Sequence, residues 1–390
     1  MNQRNILLAV VLSAVLLFGW DALVGYLYPN ARLDPPARVD TPARQVAAQD
    51  APVRHSRAGG LDAATMAIEK RDLRTALAGG GRVPIDSPRL AGSINLATGT
   101  IDDIVLKNYR ETVEKGSDPV RLFSPAGTPA QQFAEFGFLA NGAKLPAGPW
   151  QADGAKLTPG TPVTLTKQGA NGLTYRIRFA IDDKYMIRAE QRVDNTGAGG
   201  AVVQPYALIN RTDRTASLDQ WIAHSGPMGV FGGTANYDVD YDTLVEDGPV
   251  SPRGQVGWTG FTDIYWLAAL VPQAGAQASA GYRALGNTLY RADLIYAPVT
   301  LAPGSAVTRT TRLFAGAKES KVLDAYEAAG VTQLSFAIDW GWFRWFEKPL
   351  LWLLQTLFSI AGNFGVAIIL LTIIVRAALF PIAQKGFASM

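Results

Sequence analysis

The chain has 390 residues, a net charge of +3, no cysteine and two histidines, His55 and His224, far apart in sequence. That inventory all but excludes thiol chemistry and the common zinc, haem and iron–sulfur sites, so no cofactor is expected. Lysines and arginines are scattered rather than clustered, which argues against a nucleic-acid partner.

Residues 1–4 form a short basic start, and 5–28 are apolar apart from Asp21. Trp20, Tyr26 and Tyr28 follow the apolar run where a signal peptide would carry small residues at its cleavage site. The aromatics suit a headgroup belt, so the stretch reads as an uncleaved transmembrane anchor with its amino terminus in the cytosol. Residues 29–60 contain Pro29, Pro35, Pro36, Pro42 and Pro52 and almost no large apolar side chain, the composition of a solvated tether.

From 61 to 316 the hydrophobic period is two. "LTYRIRFAI" places Leu173, Tyr175, Ile177, Phe179 and Ile181 on one face, and "YMIRAEQRV" resumes after Asp182-Asp183-Lys184. That is a hairpin with one wet face. Further strands are predicted at 101–109, 282–285, 289–296 and 307–314, broken by Gly286-Asn287 and Pro303-Gly304. Many strands with little helix predict a large antiparallel β-sandwich. Residues 317–330 then hold a short helix ending at Gly330.

At 338–362 the character changes. Trp340, Trp342, Trp345 and Trp352 crowd a segment in which Lys348, Trp352, Gln355 and Ser359 share one side of a helix. Aromatics with a narrow polar stripe predict an amphipathic helix lying in a membrane interface, with the four tryptophans as anchors. Residues 349–375 carry no charge. As one rod they would run about 40 Å, more than the roughly 30 Å of bilayer hydrocarbon. Gly362-Asn363 interrupts the run, and seven apolar residues follow Arg376 before Gln384 and Lys385. A transmembrane helix over 363–383 is therefore predicted, with 384–390 starting a cytosolic region. Arg376 then sits about 18 Å from the start of the span, with Thr372 one turn earlier on its face. Two readings of Arg376 stand: it faces a water-filled groove, or it stretches to the near headgroups.

The stretch "KPLLWLLQTLFSIAGNFGVAIILLTIIVRAALFPIAQKGFASM" resembles the start of the membrane region of the YidC membrane protein insertases. Its interfacial helix, Gly-Asn turn, Thr-x-x-x-Arg span, proline and closing Ser-Met follow the family's order and spacing. "QRNILLAVVL" at the start and "GWTGFTDIYWLAALVP" before the last strands agree with it too.

The resemblance implies a non-enzymatic insertase and chaperone of the bacterial inner membrane, multi-pass, with a periplasmic β domain of supersandwich type. It implies newly made membrane proteins as substrates, and the lipid bilayer, Sec translocon components and, for full-length members, the ribosome as partners. Arg376 takes the place of the family's groove arginine and Thr372 that of its substrate-contacting threonine. Family members continue well beyond the point where this sequence stops, so the chain is read as a fragment. The rival is a membrane-tethered periplasmic sugar-binding or sugar-modifying sandwich. There Trp221, Trp258 and Trp266 would stack on sugar rings, with His224 as acid or base.

Overall fold

The computed structural model describes residues 59–388 apart from 80, 147 and 218–222, with side chains throughout except at 63, 342 and 381–388. The predicted anchor and most of the proline-rich tether lie outside the described residues. The chain divides into two compact units at the Gly341–Trp342 boundary.

The larger unit opens with a helix, α1 (Ala63–Ala78), where period-two strand was expected. The reason is local. The Asp62 carboxylate accepts hydrogen bonds from the backbone of Ala64 (3.0 Å) and Thr65 (2.9 Å), capping a segment that lacks alternation. Glu69 then ties the helix down by accepting from the Ala130 amide at 2.8 Å.

Two antiparallel sheets follow. The ten-stranded sheet runs β1 (Arg82–Asp86), β2 (Leu90–Asn95), β3 (Thr100–Arg110), β5 (Gln132–Ala140), β11 (Ala201–Thr212), β17 (Leu289–Tyr296), β16 (Ala278–Ala284). Short β4 (Pro119–Phe123), β6 (Ala143–Lys144) and β18 (Val299–Leu301) pair onto it. The nine-stranded sheet runs β13 (Thr234–Asn236), β12 (Gly226–Phe231), β14 (Val256–Thr262), β15 (Trp266–Val271), β19 (Ala306–Ala317), β10 (Met186–Asn195), β9 (Leu173–Ile181), β8 (Val163–Gln168), β7 (Gln151–Ala152). The alternation of β9 and β10 becomes register: Phe179 pairs with Ala189 and Tyr175 with Val193, all buried. Across the core Phe136 meets Phe179 edge-on at 5.6 Å, and Phe138 meets Tyr175 at 5.2 Å.

One buried polar side chain stitches the sheets together. Gln191 of β10 is wholly buried, and its Nε2 donates to the carbonyls of Gly137 (2.8 Å) and Tyr206 (2.9 Å) in the other sheet. Its Oε1 accepts from the Thr311 hydroxyl at 3.2 Å.

Helix α2 (Tyr241–Glu246) lies between β13 and β14, and after β19 the helix α3 (Ser320–Ala328) covers part of the nine-stranded sheet. There Phe314 packs edge-on against Tyr326 at 5.8 Å. Glu319, just before α3, is a junction. It accepts from Arg89 Nη1 on both oxygens (2.7 and 2.8 Å), from Tyr185 (2.6 Å) and from Tyr109 (3.0 Å). Burial alone would raise its carboxyl; the hydrogen bonds outweigh that and hold it below the ordinary value.

Candidate functional site

The second unit holds α4 (Arg344–Ala361) and α5 (Phe364–Ala388). The joint between them follows from its two residues. Gly362 takes the left-handed conformation at φ 66°, which favours glycine, and donates its amide to Phe358 at 2.8 Å to close α4. Asn363 then accepts from the amides of Gly365 (2.8 Å) and Val366 (3.2 Å), starting α5. Phe358 and Phe364 stack across the joint at 4.0 Å. The predicted interfacial segment thus becomes helix six residues later than 338, after a 3-10 turn at Gly341–Phe343.

The four predicted tryptophan anchors separate. Trp345 and Trp352 are 76% and 64% exposed on α4. Trp340 belongs to the β unit and is buried there, covered by protein rather than free to meet headgroups. The side chain of Trp342 lies outside the description.

Thr372 and Arg376 are both exposed on α5, one turn apart on one face. The Thr372 hydroxyl donates to the Ile368 carbonyl at 2.8 Å, so its polarity is satisfied within the helix. Among the described residues Arg376 takes no carboxylate partner. Around this pair the surface is greasy. Phe364, Val366, Ile368, Ile369, Ile373, Ile374, Leu379 and Phe380 are each at least 41% exposed. Leaving them in water forfeits on the order of 10 kcal/mol of burial, comparable with a domain's whole stability. That surface calls for an apolar cover.

Among the described residues no helix is long and apolar enough to cross a membrane. Length explains this. In α5, residues 364–380 span about 26 Å against roughly 30 Å of hydrocarbon. The helical backbone continues to Ala388.

In the β unit the residues of the sugar reading do not assemble into a site. Trp258 is fully buried in the core, and Trp266 packs edge-on against Tyr109 at 5.3 Å. Trp221 lies outside the described residues. His224 is buried, with Nε2 2.9 Å from the carbonyl of Pro227 at the start of β12, a contact three residues along the chain. It borders a cavity of about 190 Å³ shared with Met228, Tyr237, Lys318 and Asp339. Burial pushes the Lys318 ammonium down to about 8, while its Nζ donates to Thr262 Oγ1 (3.1 Å) and the Ala337 carbonyl (2.9 Å). Among the described residues no three His, Cys, Asp or Glu side chains gather to hold a metal.

Sequence reading missed Lys318 and the buried Arg211–Asp263 pair (2.5 Å), whose carboxylate also accepts from Ser217 N (3.0 Å) and Ser225 Oγ (3.1 Å). A signal existed: Asp263 is the lone charge in "GWTGFTDIYWLAALVP", and a lone charge in an apolar run foretells a buried partner.

A family model described as the YidC periplasmic domain matches residues 82–353. The membrane protein insertase YidC of Beijerinckia indica is 36% identical over 409 residues, an alignment covering 100% of this chain and 67% of that protein. The membrane protein insertase YidC of Zymomonas mobilis is 37% identical over 395 residues, covering 100% and 66% respectively. The chain therefore spans about two thirds of the length of these relatives. Among solved structures, a galactose mutarotase-like protein from Lactobacillus casei aligns at 12% identity with a TM-score of 0.40, covering 60% of this chain and 100% of its own. That likeness is too distant to carry an inference about ligands.

Proposed function

The chain belongs to the YidC family of membrane protein insertases, and from that membership we propose that it inserts newly made proteins into the bacterial inner membrane and helps them fold. In this reading residues 5–28 and 363–383 span the bilayer, α4 lies in its outer interface on Trp345 and Trp352, and the β unit is periplasmic. The Sec translocon and the ribosome are its proposed partners in the full-length protein.

The observation that carries the reading is Arg376 with Thr372 on one face of an otherwise apolar, exposed helix. A cation among hydrocarbon tails costs about 3 kcal/mol upward, unless water reaches it. Water around Arg376 would remove much of that cost and shorten the apolar path that a substrate's polar segment must cross. At an effective dielectric near 20, an acidic side chain 4 Å from the guanidinium gains about 4 kcal/mol. One such contact offsets the cost of holding the arginine there. The apolar flank of α5 then lets the incoming helix slide into lipid. No covalent step is required, and the reading assigns no catalytic residue.

The test is complementation of an insertase-depleted strain with a full-length version of this protein. Arg376→Ala should impair insertion of small single-span proteins, whereas deletion of most of residues 61–315 should be better tolerated. The reverse order of severity would move the function to the β unit.

A further inference from the structure

The outer face of the nine-stranded sheet carries arginines in rows. Across four strands, Thr166, Arg176, Arg192 and Thr308 stand in register, and beside them Thr164, Arg178, Glu190 and Thr310. A third row pairs Arg188 directly with Arg312. Arg176, Arg178, Arg188 and Arg192 have side chains between 43% and 52% exposed. Their carboxylate partners are only two. Asp194 pairs with Arg176 and Arg192, and Glu190 with Arg188 and Arg178. With Asp153 hydrogen-bonded beside Thr164 in the second row, five arginines stand against three carboxylates, a surplus of two positive charges on this face.

The Arg188–Arg312 pair is the least explained part of this face. Like charges directly opposite on a sheet repel. Arg312 has no carboxylate partner among the described residues; its Nη2 reaches only the Gly330 carbonyl, at 3.4 Å. Burial, with Arg188 beside it, lowers its affinity for the proton. An anion bridging the two guanidiniums would relieve the repulsion. Guanidinium groups bind phosphate oxygens through paired N–H donors, and the flanking threonine hydroxyls add further donors.

We propose that this face docks on anionic phospholipid headgroups of the membrane that holds the flanking helices. Two observations favour lipid over an acidic protein. The face lacks the aromatic or large aliphatic anchors on which protein interfaces depend, small Ala180 and buried Val271 being the apolar neighbours of Arg188 and Arg312 in the third row. And the β unit, which ends at Gly341, passes into α4 three positions later, so a bilayer that takes α4 is tethered to this unit at high effective concentration. The inference rests on the reading that α4 and α5 lie in a bilayer.

Because the chain has no cysteine, single-cysteine labelling is specific. Full chain carrying Thr308→Cys, Ser279→Cys on the other sheet, or Ser359→Cys on α4 is labelled with a donor dye. It is then reconstituted into vesicles holding a headgroup-labelled acceptor lipid. Energy transfer from position 308 should exceed that from 279 in phosphatidylglycerol-containing vesicles and fall to the level of 279 in pure phosphatidylcholine. Replacing Arg178, Arg188 and Arg312 with glutamine should weaken the docking by about fivefold per arginine, and replacement with lysine should keep most of it. Transfer at 359 but none above the 279 level at 308, in every lipid mixture, overturns the proposal, and is the result expected if an acidic protein is the true occupant. Absence of transfer at 359 as well would sink the membrane reading and this inference with it.

Discussion

Replacing Gln191 with leucine tests whether one side chain holds the two sheets in place. The change keeps most of the volume of a fully buried residue but removes two donated hydrogen bonds, at 2.8 and 2.9 Å, and one accepted at 3.2 Å. Each net bond contributes about 1 kcal/mol, and a buried group left without a partner costs about 1–3 kcal/mol. The carbonyls of Gly137 and Tyr206 and the hydroxyl of Thr311 all lose a partner, while leucine recovers part of the loss through apolar burial. The expected destabilisation is about 3 kcal/mol, which for a unit of this size lowers Tm by roughly 6–12 °C. Thermal unfolding of detergent-solubilised protein, followed by the β-sheet signal in circular dichroism, measures it. Thr311→Val alone should cost about 1 kcal/mol, and the double variant should cost less than the sum, since both act on one network. A Gln191→Leu protein that melts with the parent, or strict additivity with Thr311→Val, would refute the reasoning.

Lys318 gives a pH dependence. Its folded value, about 8, lies below the unfolded 10.5, so between them the unfolded chain binds more protons and stability rises with pH. Urea midpoints should therefore climb from pH 8 to 10, and Lys318→Met should flatten that climb; a parallel climb in the variant contradicts the assignment. Gly316→Ala should destabilise the β unit by about 1–3 kcal/mol. A Cβ there would come within 2.3 Å of the Tyr185 ring, which Glu319 holds in place. An unchanged melting temperature would show that Tyr185 moves freely.

How much of this was legible in the sequence depended on how many faces of each element meet water. The strands β9 and β10 announce themselves because Arg176, Arg178, Arg188 and Arg192 alternate with buried apolar residues. The central strand β11 does not, since Tyr206, Leu208 and Asn210 on its outer face are buried like Ala207 and Ile209 within. Helix α1 was invisible to a reading tuned to period two, although Asp62 marks its start. The Gly362–Asn363 joint and the Thr372–Arg376 pair were readable because both depend on neighbours a turn or less away. The Arg211–Asp263 pair and the Glu319 junction were not, because their partners are brought together by chain closure over 52 and 230 residues. Trp340 carries a related lesson: composition alone groups it with Trp345 and Trp352, and only the packing of the β unit removes it from them.

Insertion through a groove requires hydration beside Arg376, and water contact along α5 measures it directly. Spin labels at Thr372→Cys and Ile374→Cys sit at nearly one depth but on opposite faces of the helix. In the full-length protein in vesicles, deuterium modulation from heavy water should be strong at 372 and weak at 374. Equal signals at the two positions, whether both wet or both dry, would contradict a groove and leave Arg376 an ordinary cation reaching for the headgroups.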